Sequence, residues 1–230
     1  MCIRESQRAM GNLVTMDDLS NDDIVSILDD AERLVPVAKG DILLPLLQGK
    51  VLANMFFENS TRTRMSFETA MKRLGGSVLN FSSVGTSVSK GETLYDTMQM
   101  IDGYADIAAI RHPRQGAAQY SADAVEIPIL NAGDGAGNHP TQTMLDLFTI
   151  RQSHGKLDGL NVVLVGDLRY GRTVHSLSHA LVRFGASLTL VSPSSLKMPA
   201  EIVSDLKSHG ADVIETETLD SQISEADVIT

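Results

Sequence analysis

The period of the hydrophobic positions shifts repeatedly along this chain. After Ser20, apolar residues recur at Ile24, Ile27, Leu28, Ala31 and Leu34, the spacing of one helical face. Ser20 is placed to cap that helix, and Asp22 and Asp23 sit in its first turn, where the helix dipole favours carboxylates. Residues 36–49, punctuated by Pro36, Pro45 and Gly49, read as a connection. Residues 51–57 are almost continuously apolar and read as a buried strand. The pattern then alternates. It predicts a helix over 64–74 stopped by Gly75 and Gly76, a strand at 78–81, a helix at 93–104, a strand at 106–110, a helix at 115–124 and a strand at 127–131. Pro140 suits the first turn of a further helix, through 153. A second run follows: strand 162–165, helix 173–184, strand 188–191, helix 200–209, strand 212–215 and a last strand at 227–230.

Such alternation predicts an α/β chain of two domains, each a mostly parallel sheet flanked by helices, joined by a long helix. The expected division is 1–138, a linking helix at 139–155, and 156–230. A parallel strand at 227–230 with nothing to cover it makes the second domain look incomplete.

Composition acts mainly by exclusion. The chain has 230 residues, enough for one large or two small domains with proper cores. Its 19 Lys and Arg against 29 Asp and Glu give a net charge of −10, which disfavours nucleic acid and anionic lipid as partners. Without Trp, an aromatic platform for base stacking is not expected. Cys2 stands alone, so neither an intrachain disulfide nor a thiolate metal cage can form. No apolar run is long enough to span a membrane and the first ten residues do not read as a signal peptide, so the expected setting is a reduced, soluble cytoplasm.

In open α/β sheets, ligands bind at the carboxyl ends of strands beside helix N-termini, so the strand-to-helix loops carry the candidate chemistry. Residues 58–64, Glu-Asn-Ser-Thr-Arg-Thr-Arg, follow the apolar strand and open a helix, offering hydroxyls, backbone N–H groups and two forked cations to a phosphate. The alternative is a capped helix with two solvated arginines. Arg111 follows strand 106–110 and belongs at the same edge, or lies in an ordinary surface turn. In residues 133–142 three alternating glycines, Gly133, Gly135 and Gly137, allow close backbone approach to a ligand. His139 stands just before a helix start, disposed to stay neutral and donate to a carbonyl oxygen; a capping histidine is the plainer reading. Residues 166–173 nearly match a nucleotide phosphate loop, but Arg172 stands where that motif needs Lys, and a forked Arg suits a carboxylate or static phosphate better. Residues 82–92 form a long polar loop, either a contact arm or simple surface. His175 and His179 have helical spacing without the Glu or third ligand of a zinc site. Neither a nucleophile elbow nor a carboxylate pair is evident. Cations concentrated on an acidic chain therefore predict a multiply anionic small substrate, acted on by positioning and charge stabilisation without metal or cofactor.

Taken together, these loops resemble the aspartate and ornithine carbamoyltransferase family. Ser60-Thr61-Arg62-Thr63-Arg64 with Ser66-Phe67-Glu68 is similar to the family's carbamoyl-phosphate signature. Residues 131–135, His139-Pro140-Thr141-Gln142, residues 145–150 and residues 166–177 resemble the aspartate-specific branch. The resemblance runs from Leu13 to Thr230. It implies transfer of the carbamoyl group of carbamoyl phosphate to the amine of L-aspartate, in pyrimidine biosynthesis, with 1–138 binding carbamoyl phosphate and 156–230 binding aspartate. Ser60, Thr61, Arg62 and Thr63 would hold the phosphate, Arg111, His139 and Thr63 would polarise the carbamoyl oxygen, and Gln142 would meet the carbamoyl amide. Arg172, beside Thr173, would take an aspartate carboxylate. Ser87 (or Thr86) and Lys90 would reach in from a neighbouring subunit of a homotrimer, Lys90 also toward aspartate, and Glu58 would bridge the domains through Arg172. Regulatory chains are a further partner the resemblance allows. The family's longer chains imply truncation at the C-terminus, and Met10 as a natural start. Another acceptor such as ornithine, a nucleotide-binding role for 166–173, and an inactive chain stay open.

Overall fold

The computed structural model describes residues 11–82, 91–135, 137–220 and 222–230; Cys2, Thr86, Ser87 and Lys90 lie outside them. Two four-stranded parallel sheets form. The first has the order β2-β1-β3-β4, with β1 at Val51–Phe56, β2 at Ser77–Ser82, β3 at Ile107–His112 and β4 at Ile129–Asp134. The second has the order β7-β6-β5-β8, with β5 at Asn161–Val165, β6 at Ser187–Val191, β7 at Val213–Thr216 and β8 at Val228–Ile229. Because every pair is parallel, all carboxyl ends of a sheet lie along one edge: Phe56 pairs with both Ser82 and Arg111 there. β1 and β3 are internal strands whose side chains are buried on both faces, which is why they read as continuous apolar runs.

The helices are α1 (Asn21–Lys39), α2 (Arg62–Arg73), α3 (Leu94–Asp102), α4 (Ala117–Ala124), α5 (Pro140–His154), α6 (Arg172–Val182) and α7 (Ala200–Ser208). Three local results differ from the sequence reading. α1 runs past Pro36 to Gly40, whose left-handed backbone closes it. Proline forfeits one N–H near the end of the helix, and the carbonyl it leaves free, on Glu32, belongs to a solvent-exposed residue. β3 and β4 continue through Arg111 and Gly133, beyond the last large apolar residue, because the ladder is a backbone property: Phe57 N still donates to Arg111 O at 2.9 Å. α2 begins at Arg62, so Arg62 and Thr63 are helical rather than loop residues.

The chain's ordered start pairs with the first sheet before α1 begins. Leu13 N donates to Ile129 O, and Leu13 O accepts from Asn131 N, covering the free edge of β4. α1 then leans on α5 and the second sheet. Leu13, Met16, Leu19, Ile24 and Leu28 belong to the same apolar cluster as Leu147 of α5, Leu164 of β5 and Leu181 of α6. Arg183 fastens this joint from the end of α6, donating to Met16 O at 3.0 Å, to Asn21 Oδ1 at 2.8 Å and to Leu19 O at 2.5 Å. Arg151 of α5 adds an ion pair to Asp29 at 2.7 Å. The first sheet keeps a separate core around Met55, Met98, Ile110 and Ile129.

Candidate active site

Between the sheets lies a cleft of about 740 Å³. α2 lines it with Arg62, Thr63, Ser66 and Phe67, β3 with Arg111, the turn into α5 with His139 and Gln142, and the start of α6 with Arg172 and Thr173. Successive helical residues are 100° apart, so Arg62 and Thr63 share this wall with Ser66 and Phe67, whereas Arg64 turns away. Arg64 lines a smaller polar cavity of about 260 Å³ with Ser60 and Thr61. The seven-residue motif thus serves two cavities, and Ser60 and Thr61 do not join Arg62 in the cleft.

The N-terminus of α2 is open. Thr61 is its N-cap, and its side chain makes no capping hydrogen bond, while α1 and α3 are each closed by a capping box. Orphan N–H groups and the positive end of the helix dipole therefore stand at the arginine-bearing wall.

Arg111 is held on three sides. Its Nε donates to Glu58 Oε1 at 2.5 Å, and its Nη1 lies 3.5 Å from both Thr63 Oγ1 and Ala132 O. Glu58 also lies 3.8 Å from Arg172 Nη2. Its close partner is Arg111, which sequence reasoning missed because the two are 53 residues apart. Arg172 donates in addition to Gly135 O.

His139 is 5% exposed and caps α5. Its Nδ1 accepts from Gln142 N at 3.3 Å, which leaves the ring proton on Nε2. Burial, then the positive charges of Arg111 and Arg172, lower its pKa to about 4, so the imidazole is neutral near pH 7. The capping reading of His139 is met through Nδ1, and Nε2–H is left as a donor. Gly133 makes room for this packing: at φ +115°, a Cβ there would lie 3.3 Å from His139 Cδ2 and 3.4 Å from Arg172 Nη2. The space that Gly133 leaves is taken here by protein side chains.

Asp134, buried at the end of β4, was also missed. Its carboxylate accepts from Gly116 N at 2.8 Å and Asn138 N at 2.6 Å, tying the His139 turn to the start of α4. A lone Asp among glycines gave no signal of this role. Residues 166–173 do form a strand-to-helix loop, but Asp167 Oδ1 already accepts from Arg169 N at 3.1 Å and Tyr170 N at 3.0 Å. His175 bonds Leu168 O, and His179 reaches His175 O and Asp205. Among the described residues no group of acidic, His or Cys side chains is arranged to hold a metal ion, and no helix is long and apolar enough to cross a membrane.

Comparison with known proteins decides the family. Residues 11–152 match the model for the carbamoyl-phosphate-binding domain of aspartate/ornithine carbamoyltransferases, and residues 158–230 match the model for their aspartate/ornithine-binding domain. The chain belongs to the aspartate/ornithine carbamoyltransferase family. Within that family it is 53% identical over 219 residues to the aspartate carbamoyltransferase catalytic subunit of Methanothermobacter thermautotrophicus, covering 95% of this chain and 70% of that protein. To the corresponding subunit of Archaeoglobus fulgidus it is 49% identical over 221 residues, with 96% and 73% covered. Among solved carbamoyltransferases, the catalytic subunit of M. jannaschii aspartate transcarbamoylase superposes with a TM-score of 0.90 at 47% identity, covering 96% of this chain and 72% of that one. The Trypanosoma cruzi aspartate transcarbamoylase complex with carbamoyl phosphate and aspartate superposes with a TM-score of 0.90 at 40% identity, covering 96% and 71%.

Proposed function

We propose that this chain transfers the carbamoyl group of carbamoyl phosphate to the amine of L-aspartate, giving N-carbamoyl-L-aspartate and phosphate. The observation that carries the reading is the convergence of Arg62, Arg111, Arg172 and a neutral His139 on one cleft of a chain whose net charge is −10. Such a cleft concentrates small anions against the field of the rest of the molecule. The open N-terminus of α2 with Arg62 and Thr63 takes the phosphate, and Ser60 and Thr61 swing in from the smaller cavity to complete its cradle once the phosphate is bound. Arg111, Thr63 and the Nε2–H of His139 donate to the carbamoyl oxygen as charge grows on it. Gln142 meets the carbamoyl amide, and Arg172 with Thr173 takes an aspartate carboxylate. The amine nitrogen then bonds the carbonyl carbon, the bond from that carbon to the phosphate oxygen breaks, and the departing phosphate takes the proton that the amine sheds.

The wider reading follows the family. Residues 1–138 form the carbamoyl-phosphate domain, 139–155 the linking helix and 156–230 the aspartate domain. The active unit is a homotrimer in which Ser87 and Lys90 come from the neighbour, Lys90 toward aspartate. Glu58 shifts toward Arg172 as the cleft closes. The enzyme works in the cytoplasm in pyrimidine biosynthesis, and regulatory chains are a further partner that the family allows. Aspartate is favoured over ornithine because relatives near 50% identity are aspartate carbamoyltransferases. Calorimetric titration tests the reading: saturable binding of carbamoyl phosphate without binding of Mg-ATP, and carbamoylation of aspartate but not ornithine, are expected. Binding of ATP alone, or product from ornithine alone, overturns it.

A further inference from the structure

One turn along α5 from Gln142 stands Asp146, half-buried beside the cleft. Its Oδ1 accepts a hydrogen bond from Gln142 Nε2 at 2.9 Å, and among the described residues it has no other hydrogen-bond partner. The two residues are four apart on one helix, so they are neighbours on the same face whatever the cleft contains. A primary amide is nearly symmetrical in shape, and its partners decide which end points where. Burial raises the pKa of Asp146 and the hydrogen bond from Gln142 opposes that rise; as the ionised carboxylate it has no proton to give. Gln142 must therefore turn its Nε2 toward Asp146, which leaves Oε1, an acceptor, as the end available to the cleft that Gln142 lines.

That orientation carries chemical information. Carbamoyl phosphate and acetyl phosphate have the same charge and almost the same shape, differing by an NH2 or a CH3 on the carbonyl carbon. An amide free to rotate could offer its own NH2 to the cleft and would then oppose a carbamoyl NH2. An amide fixed with its oxygen forward satisfies that NH2 and leaves a methyl group facing an unpaired acceptor. We infer that Asp146 is a positioning residue for acyl selectivity: by fixing the Gln142 amide it makes the cleft favour an acyl phosphate that bears an N–H donor over one that bears a methyl group. The inference rests on the reading of the cleft as a carbamoyl-phosphate site with Gln142 at the carbamoyl amide.

The test is the ratio of dissociation constants for acetyl phosphate and carbamoyl phosphate, measured by calorimetry on the full chain. The ratio cancels changes in phosphate binding and in the folded fraction, which a merely structural role would alter for both ligands alike. The wild-type chain should favour carbamoyl phosphate by about tenfold, the scale of one satisfied against one unpaired buried acceptor. Asp146→Asn, which can both donate and accept, should bring the ratio within about twofold of unity, and so should Gln142→Ala. In the Gln142→Ala background, Asp146→Asn should change nothing further. Asp146→Ala, with high helix propensity, repeats the measurement should the amide disturb α5. A discriminating wild type whose ratio collapses in Gln142→Ala but survives both Asp146 variants overturns the role of Asp146 alone. A ratio unmoved by Gln142→Ala, or a wild type that does not discriminate, overturns the reading of Gln142 and this inference with it.

Discussion

Two loops in this molecule hold the same topological place and treat it in opposite ways. Residues 57–61 leave β1 and enter α2; residues 166–171 leave β5 and enter α6. The second is the one whose spacing resembles a phosphate loop, yet its backbone donors are engaged by Asp167, an anion of its own chain. The first has no glycine at all; neither α2 nor α6 is capped by a side chain, but among the described residues no carboxylate accepts from the N–H groups of residues 58–61. The lesson is that an anion site is recognised by which N–H groups remain unspent, more than by glycine content. The second loop exports its cation instead: Arg172 crosses the cleft to Gly135 O and toward Glu58.

The largest effect that sharpens this contrast is expected at Arg62. Arg62→Ala should weaken carbamoyl phosphate binding by about 2–4 kcal/mol, since it removes a charge-assisted fork from a desolvating wall. Calorimetry showing a loss below about 0.5 kcal/mol, within the noise of a surface change, would take Arg62 out of the site. Next comes His139. Its pKa is about 4 in the folded chain against 6.5 for the free side chain, so above that upper value both states are neutral and no stability is lost. As pH falls through the window from 6.5 to 4, the unfolded chain takes up a proton that the folded chain refuses, and stability drops by about 3 kcal/mol by its lower end. Urea titrations of His139→Asn should lack that component; an unchanged pH profile would mean that His139 does not titrate as described. Gly133→Ala should cost about 2 kcal/mol, from a strained positive φ and from the crowding of His139 and Arg172, and should reduce turnover by displacing both. A variant with wild-type melting and turnover would show that the turn has room to spare. The smallest effect is expected at Asp167. Asp167→Ala should lower stability by about 1 kcal/mol and leave carbamoyl phosphate affinity unchanged. If it instead created a second phosphate site, Asp167 alone would be what separates the two loops.

Much of this was legible in the sequence, for a physical reason. Buried parallel strands must be apolar on both faces, so 51–57 and 162–165 announce themselves, and parallel pairing then forces Arg111 and the α2 N-terminus to one edge. What the sequence hid is long-range and polar. Nothing local ties Glu58 to Arg111, or Asp134 to Gly116 and Asn138, because each pair is assembled by the sheet. The glycines of the His139 turn were read for a conformational freedom that Gly133 and Gly135 use at positive φ, but the side chains packed against Gly133 come from His139 and the distant Arg172. Arg64 was placed with Arg62 by adjacency, and the 100° step of a helix separates them. Ser87 and Lys90 lie outside the described residues.

The placement of α1 has a consequence for how the chain denatures. Leu13, Ile24 and Leu28 share one apolar cluster with Leu164 and Leu181, while Leu13 itself is hydrogen-bonded to the edge of the first sheet. Loss of the second sheet would strip α1 of its packing and uncover β4 at the same moment. Two sheets built on separate stretches of sequence are thereby joined into one cooperative unit. A scanning calorimeter should record a single endotherm whose van't Hoff enthalpy equals the calorimetric one, and substitutions in α1 should shift that one peak without splitting it.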